Sequence, residues 1–234
     1  MSETSTPPLF EAGRITALFC RHVTTDHTGA PCRLRRPVAG KAKLRLHGIA
    51  CDDACEYYED PECALLQYAG DNYTAWRQEM PASAPLFSMP GAFSESITSR
   101  GGMTEQTVCI GDIYRMGTAE VQVSYGREAC RSLNERFKRP DMAQVMHQNF
   151  RTGWFYRVLK EGYAENGDAI SLLSRPQNGW TIARVEDLLF GKSLDRESLE
   201  ALAVMRELAP AWRNVFASRL ENGYLEDVEY GTGY

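Results

Sequence analysis

Cys130 lies in the string VQVSYGREACRSLNERF, which runs from Val121 to Phe137. The pattern reads as a strand ending at Ser124, a glycine-containing turn, and a helix that begins at about Cys130. Arg127 precedes the cysteine by one helical step and Arg131 follows it directly. A thiol at a helix N-terminus beside cations has its thiolate favoured, because the helix dipole and the positive charges both stabilise S⁻. A thiolate is what a metal ligand, a nucleophile or a persulfide carrier needs, and adjacent arginines suit phosphate and other oxyanions. The competing reading is a buried structural cysteine that packs as a small hydrophobe.

Two further groupings are chemically suggestive. His47, Cys51, Cys55 and Cys63 follow the spacing H-x3-C-x3-C-x7-C. Four soft ligands so close in sequence can hold zinc or an iron–sulfur cluster, although C-x3-C is not the usual knuckle spacing. The competing reading is a loop with scattered thiols, one of which could serve Cys130 as a partner thiol by passing sulfur or forming a transient disulfide. Arg33, Arg35 and Arg36 in CRLRRPV form a basic stretch. Such runs are often simply solvated, but Arg35 is the candidate anion contact among them. The chain has no Gly-x-Ser-x-Gly elbow and no Walker-type phosphate loop. His147 reads as structural or surface.

Composition narrows the class. The 234 residues carry 43% apolar and 24% charged side chains with a net charge of -5, ordinary for a folded domain and unlike a basic nucleic-acid binder. No run approaches the ~20 apolar residues of a membrane helix. The start, Met1 to Pro8, lacks the basic and apolar regions of a signal peptide, so a cytoplasmic protein with reduced thiols is expected despite seven cysteines.

The elements that must position Cys130 follow from periodicity and breakers. Strands are expected at Gly13–Phe19, Ala92–Thr98, Val108–Tyr114, Ala119–Ser124, Gly153–Leu159 and Ala169–Leu173, with a hairpin over Pro37–Leu46. Helices are expected at Asn72–Glu79, from Cys130 to before Pro140, and at Met142–Asn149. After Thr181 only helices remain. Thr181 and Asp195 are caps for the first two, Pro210 opens the third, and Gly191 and Gly223 are stops. The expected organisation is a disordered tail at 1–9, a β-barrel domain at 10–176, a three-helix domain at 177–224 and a mobile tail at 225–234. The fold class is mixed, β-rich α/β.

The ordered series MTEQTVCIGDIYRMGTAEVQVSYGREACRSLNERF (Met103 to Phe137), then GWFYRVLKEG (Gly153 to Gly162) and the helical tail resembles the MOSC domain family. Within it the chain is similar to the YiiM-like branch, typified by the bacterial 6-N-hydroxylaminopurine resistance protein and related to the mitochondrial amidoxime-reducing component. The resemblance implies a MOSC β-barrel with an appended three-helix domain. It implies that Cys130 is the protein ligand of molybdenum in a molybdopterin cofactor, with Arg127 beside it and Arg35, Arg131, Ser96 and Ser124 as cofactor contacts. It further implies reduction of N-hydroxylated small molecules with electrons from a flavin or iron–sulfur partner. A homodimer is left open, and neither nucleic acid nor membrane is expected as a partner. The segment Tyr58-Glu59-Asp60-Pro61-Glu62-Cys63-Ala64 stands where the family carries a His-Gly-Gly-Pro-Asp-Arg-Ala-like sequence. Glu59, Asp60 and Glu62 would there repel a phosphate. Two alternatives therefore stand beside the first: a diverged member without molybdenum that uses Cys130 directly as sulfur carrier or nucleophile, and a non-catalytic binding module.

Overall fold

The computed structural model describes residues 8–25, 31–51 and 60–225. Most of the two expected tails lies outside the described residues, as do part of the turn-rich stretch after Thr24 and Cys55 with its neighbours. Leu9, placed in the tail by sequence, already joins the barrel: its N–H donates to the Leu172 carbonyl at 2.6 Å.

Seven strands close a barrel. Around the wall they run β11 (Ala169–Ser174), β7 (Ile113–Met116), β8 (Ala119–Gly126), β9 (Trp154–Lys160), β5 (Leu65–Ala69), β6 (Ile97–Arg100) and β1 (Phe10–Thr25), and β1 returns to β11. The β5–β6 pair is parallel and the other pairs of the wall are antiparallel. Register shifts in β1 and β8 mark bulges, which bend long strands and let a sheet curl to closure. The second half of β1 leaves the wall and pairs with β2 (Pro31–Pro37). A separate three-stranded sheet holds β3 (Ala42–Arg45), β4 (Gly48–Ile49) and β10 (Gly162–Ala164). Alternating burial along β7 and β8 turns Tyr114, Met116, Val121 and Val123 inward.

Helices α1 (Asn72–Glu79), α2 (Arg131–Phe137) and α3 (Met142–Asn149) pack outside the wall over an aromatic cluster. There Phe93 stacks on Tyr68 at 4.0 Å and Phe87 on Phe137 at 5.0 Å between ring centres. The chain ends in α4 (Ile182–Phe190), α5 (Arg196–Val204) and α6 (Pro210–Asn222). Their apolar residues Ile182, Val185, Leu189, Leu199, Leu202, Trp212 and Phe216 belong to the same core as the barrel interior. Thr181 and Asp195 cap α4 and α5 through their side-chain oxygens, as the sequence predicts. No helix of the described residues is long and apolar enough to cross a membrane.

Three expected elements come out differently. Pro37 and Ala42 belong to different sheets, so Pro37–Leu46 is a crossing between sheets and not a hairpin. Residues 108–112 form a turn rather than a strand, because the Asp112 carboxylate accepts the Cys109 N–H at 2.9 Å and Gly111 takes φ 79. The strand placed at Ala92–Thr98 begins only at Ile97, because the buried Glu95 folds the residues before it into a loop.

Candidate active site

The chain leaves β8 at Gly126 and enters α2 at Arg131, and the residues between are pinned through their own N–H groups. Arg127 N–H donates to the Gly153 carbonyl at 3.0 Å. Ala129 N–H donates to His147 Nε2 at 2.9 Å. Cys130 is the N-cap of α2, in extended backbone, and its carbonyl accepts from Leu133 N–H at 3.0 Å. Leu133 and Phe137 then root the helix in the aromatic cluster. The half-buried Cys130 sulfur lies 3.0 Å from the Ser132 hydroxyl. The expected strand, turn and helix are thus present around this thiol.

The flanking arginines bond elsewhere than to the sulfur. Arg127 is nearly buried, and its Nη1 donates to the Phe93 carbonyl at 2.5 Å, because a desolvated guanidinium needs acceptors. Arg131 is exposed and pairs with Glu135 one turn along at 3.4 Å.

Arg127 is one of three guanidinium groups on a single short segment. Arg35, from β2, donates Nε to the Ser94 carbonyl at 2.8 Å. Arg136, from α2, donates to the Gly91 carbonyl at 3.1 Å and reaches the Ser94 hydroxyl at 3.4 Å. Gly91 and Ser94 both adopt positive φ, 95 and 59. Glu95 holds this shape. Its fully buried carboxylate accepts from the Tyr73 hydroxyl at 2.6 Å, Gly91 N–H at 2.8 Å, the Thr98 hydroxyl at 2.8 Å and Phe93 N–H at 3.1 Å. Sequence reasoning picked Arg35 and Arg127 but missed Arg136 and Glu95. Arg136 shares a helix with Cys130, which was the available signal.

The two serines expected as cofactor contacts have backbone partners in the structure. Ser124 is fully buried, and its one hydroxyl hydrogen has two carbonyls in reach, Glu62 at 2.6 Å and Phe155 at 3.1 Å. Ser96 is buried too, and its hydroxyl accepts from Leu66 N–H at 3.4 Å. Both hydroxyls satisfy backbone groups, since buried backbone groups must find partners.

Of the expected metal set His47, Cys51, Cys55 and Cys63, the structure removes Cys51. Cys51 is disulfide-bonded to Cys20, with Cα atoms 5.6 Å apart, so neither is a reduced thiol and Cys51 is not a partner for Cys130. Cys55 lies outside the described residues, and Cys63 donates to the Asp60 carbonyl at 3.4 Å. Burial, and then Asp60, push the Cys63 thiol above its ordinary pKa. Among the described residues no three His, Cys, Asp or Glu side chains are grouped as metal ligands. Glu62 is neutralised: Arg157 grips its carboxylate through Nε and Nη2 and also reaches Gln122 at 2.8 Å and the Glu207 carbonyl at 3.0 Å.

Behind the Cys130 segment lie two buried carboxyls. Glu105 accepts from Gly153 N–H at 2.7 Å and from Asn72 at 3.2 Å. Glu186, on α4, accepts from the Thr152 hydroxyl at 2.6 Å. Burial raises both above the ordinary carboxyl range, Glu186 strongly, and the charge of Glu105 raises Glu186 further. His147 stacks on Phe190 of α4 at 3.9 Å, and burial lowers its pKa to about 4.

A MOSC domain model matches residues 25–171, and a YiiM-like 3-alpha helix domain model matches residues 180–223. The chain is 32% identical over 192 residues to Protein YiiM of Escherichia coli strain K12, covering 81% of this chain and 84% of that one. It is 38% identical over 148 residues to a reductase of Gibberella moniliformis, covering 63% of this chain and 26% of that longer protein. The crystal structure of YiiM from Escherichia coli superposes with a TM-score of 0.76 at 28% identity, covering 92% of this chain and 99% of that one. YiiM from Geobacillus stearothermophilus gives 0.74 at 26%, covering 89% and 99%.

Proposed function

The chain belongs to the MOSC domain family, in its YiiM-like branch, and from that premise we propose that it is an oxidoreductase that reduces N-hydroxylated compounds through a molybdenum cofactor held by Cys130. The observation that carries the reading is the half-buried Cys130 thiol at the head of α2, on a segment pinned by Arg127 and His147. A thiolate is a soft donor suited to a soft, redox-active metal.

The side chains present fit such a group. Arg35, Arg127 and Arg136 converge on Gly91–Ser94 from three elements and make this rim positive, as an anionic pterin phosphate requires. Glu62, which would oppose an anion, is spent on Arg157. Cys130 would hold the metal, and the three arginines would face the cofactor's anionic end. The bound cofactor would supply the oxygen-atom and electron chemistry. The chain's own residues hold the sulfur's backbone still, keep the rim positive and fix the Gly91–Ser94 shape through Glu95. The overall reduction, R–NHOH with two electrons and two protons giving R–NH2 and water, draws its electrons from a flavin or iron–sulfur protein.

Protein made in a cofactor-competent host is expected to contain molybdenum and pterin, both lost in Cys130→Ser, together with reduction of an N-hydroxylated test substrate. Wild-type protein that reduces the substrate without molybdenum would overturn this reading. A second reading is favoured by the sequence at Tyr58–Ala64, which lacks the histidine and the two glycines that the family carries there. In it Cys130 itself is the nucleophile or sulfur carrier.

A further inference from the structure

The Cys130 segment is held from behind by groups that the C-terminal domain supplies. Glu186 is 0% exposed, and its Oε2 has no hydrogen-bond partner. Its Oε1 sits so close to Gly126 that a Cβ there would meet it at 2.4 Å, with Trp212 of α6 at 2.8 Å. Through Thr152 the same carboxyl braces the Thr152–Gly153 turn, and Gly153 in turn accepts the Arg127 N–H. Four residues along α4, Phe190 lies flat on His147, the acceptor for Ala129 N–H. The Ala129 anchor, His147, therefore touches α4 directly, and the Arg127 anchor, Gly153, reaches it through the neighbouring Thr152.

We propose that α4 is the positioning element of the Cys130 site: Glu186 and Phe190 set the placement of the thiol through the Thr152–Gly153 turn and His147. Burying a carboxyl with one oxygen unpartnered costs free energy that an apolar side chain at the same place would not incur. A group retained at that cost, against a glycine that leaves room for it, points to a role other than stability. Glu186 and Phe190 act through Thr152 and His147 and are positioning residues. The proposal rests on Cys130 being the working thiol.

The test is the rate of iodoacetamide alkylation of Cys130 in the full chain under native conditions, read by peptide mass spectrometry against Cys63 in the same molecules. Glu186→Ala and Phe190→Ala are expected to raise the Cys130-to-Cys63 ratio by roughly fivefold or more, since loss of the brace opens the segment locally. Glu186→Gln, which keeps size and the Thr152 contact, should stay within about twofold of wild type. An unchanged ratio, or Cys63 and Cys109 rising by the same factor, overturns the proposal. Should the alanine variants fail to fold, hydrogen exchange in Phe190→Leu decides: faster exchange across residues 127–133 with β7 and β11 unchanged supports it, and uniform exchange overturns it. The functional reading fails separately, if Cys130→Ser keeps full reductase activity while the alkylation ratio still responds.

Discussion

His147 works as a neutral acceptor. Its Nε2 takes the Ala129 N–H, so the proton sits on Nδ1, and a protonated ring would lose that acceptor while burying a charge against Phe190. Burial lowers its pKa from 6.5 to about 4. The sign follows from linkage. The unfolded chain binds the proton at higher pH than the folded one, so the contribution is fully present above pH 6.5 and is lost as pH falls towards 4. The shift corresponds to about 3 kcal/mol. Denaturant melts from pH 7 to pH 4 should show this loss, and His147→Gln should flatten that part of the curve. A wild-type curve with the same slope as the variant would refute the assignment. The sequence marked His147 only as structural or surface. Its partner is a backbone N–H eighteen positions away, and nothing in residue type or spacing encodes that pairing.

At the scale of elements, the joint between β8 and the helical domain is tight enough to exclude a methyl group. Gly126→Ala would drive Cβ into the Glu186 carboxyl and the Trp212 ring. The cost should be roughly 1–3 kcal/mol of stability. Melting should fall in proportion, and the Cys130 segment, which starts at this residue, should become more protease-sensitive. A second joint is the Glu62–Arg157 pair, partly buried between the turn at Pro61–Cys63 (a single 3-10 turn), β9 and the Glu207 carbonyl. Arg157→Ala leaves a half-buried carboxylate without its partner and should cost about 2–4 kcal/mol, more than Glu62→Gln, which leaves a neutral amide. Equal losses in the two variants would show that the pair is fully solvated. The elements themselves were largely legible. Alternation fixed β8 and β9, and Thr181, Asp195 and Pro210 marked the starts of α4, α5 and α6. What failed was local strand propensity around Glu95 and Asp112. Glu95 gathers the N–H groups of Gly91 and Phe93 and Asp112 takes that of Cys109, and tertiary burial overrides propensity at such places.

For the whole molecule, the Cys20–Cys51 bond changes how two sheets are tied together. Cys20 lies on β1, where the strand has left the barrel wall to pair with β2, and Cys51 follows β4 of the small sheet. The bond thus links the barrel's long strand to the three-stranded sheet, and it also lies beside the arm that carries Arg35, since Cys20 pairs with Arg36. Seven cysteines carry no pairing in their spacing, and spacing alone cannot pair residues 31 positions apart. Only the path of β1 through two sheets brings them together. Closing a loop of that length restrains the unfolded chain by roughly 3–4 kcal/mol in the chain-entropy estimate. Calorimetry of wild type with and without reductant should therefore show a lower Tm on reduction. Cys20→Ser and Cys51→Ser should each reproduce the reduced Tm and lose their sensitivity to reductant. Because β2 carries Arg35 to the Ser94 carbonyl, the loosened arm should also weaken the anion binding proposed for the rim while leaving the Cys130 segment, held by α4 from the opposite end of the chain, unchanged in its hydrogen exchange. Reduction that moves the Cys130 segment and spares β2 would mean that the two supports are not independent, and the division of labour between cystine and helical domain would fall.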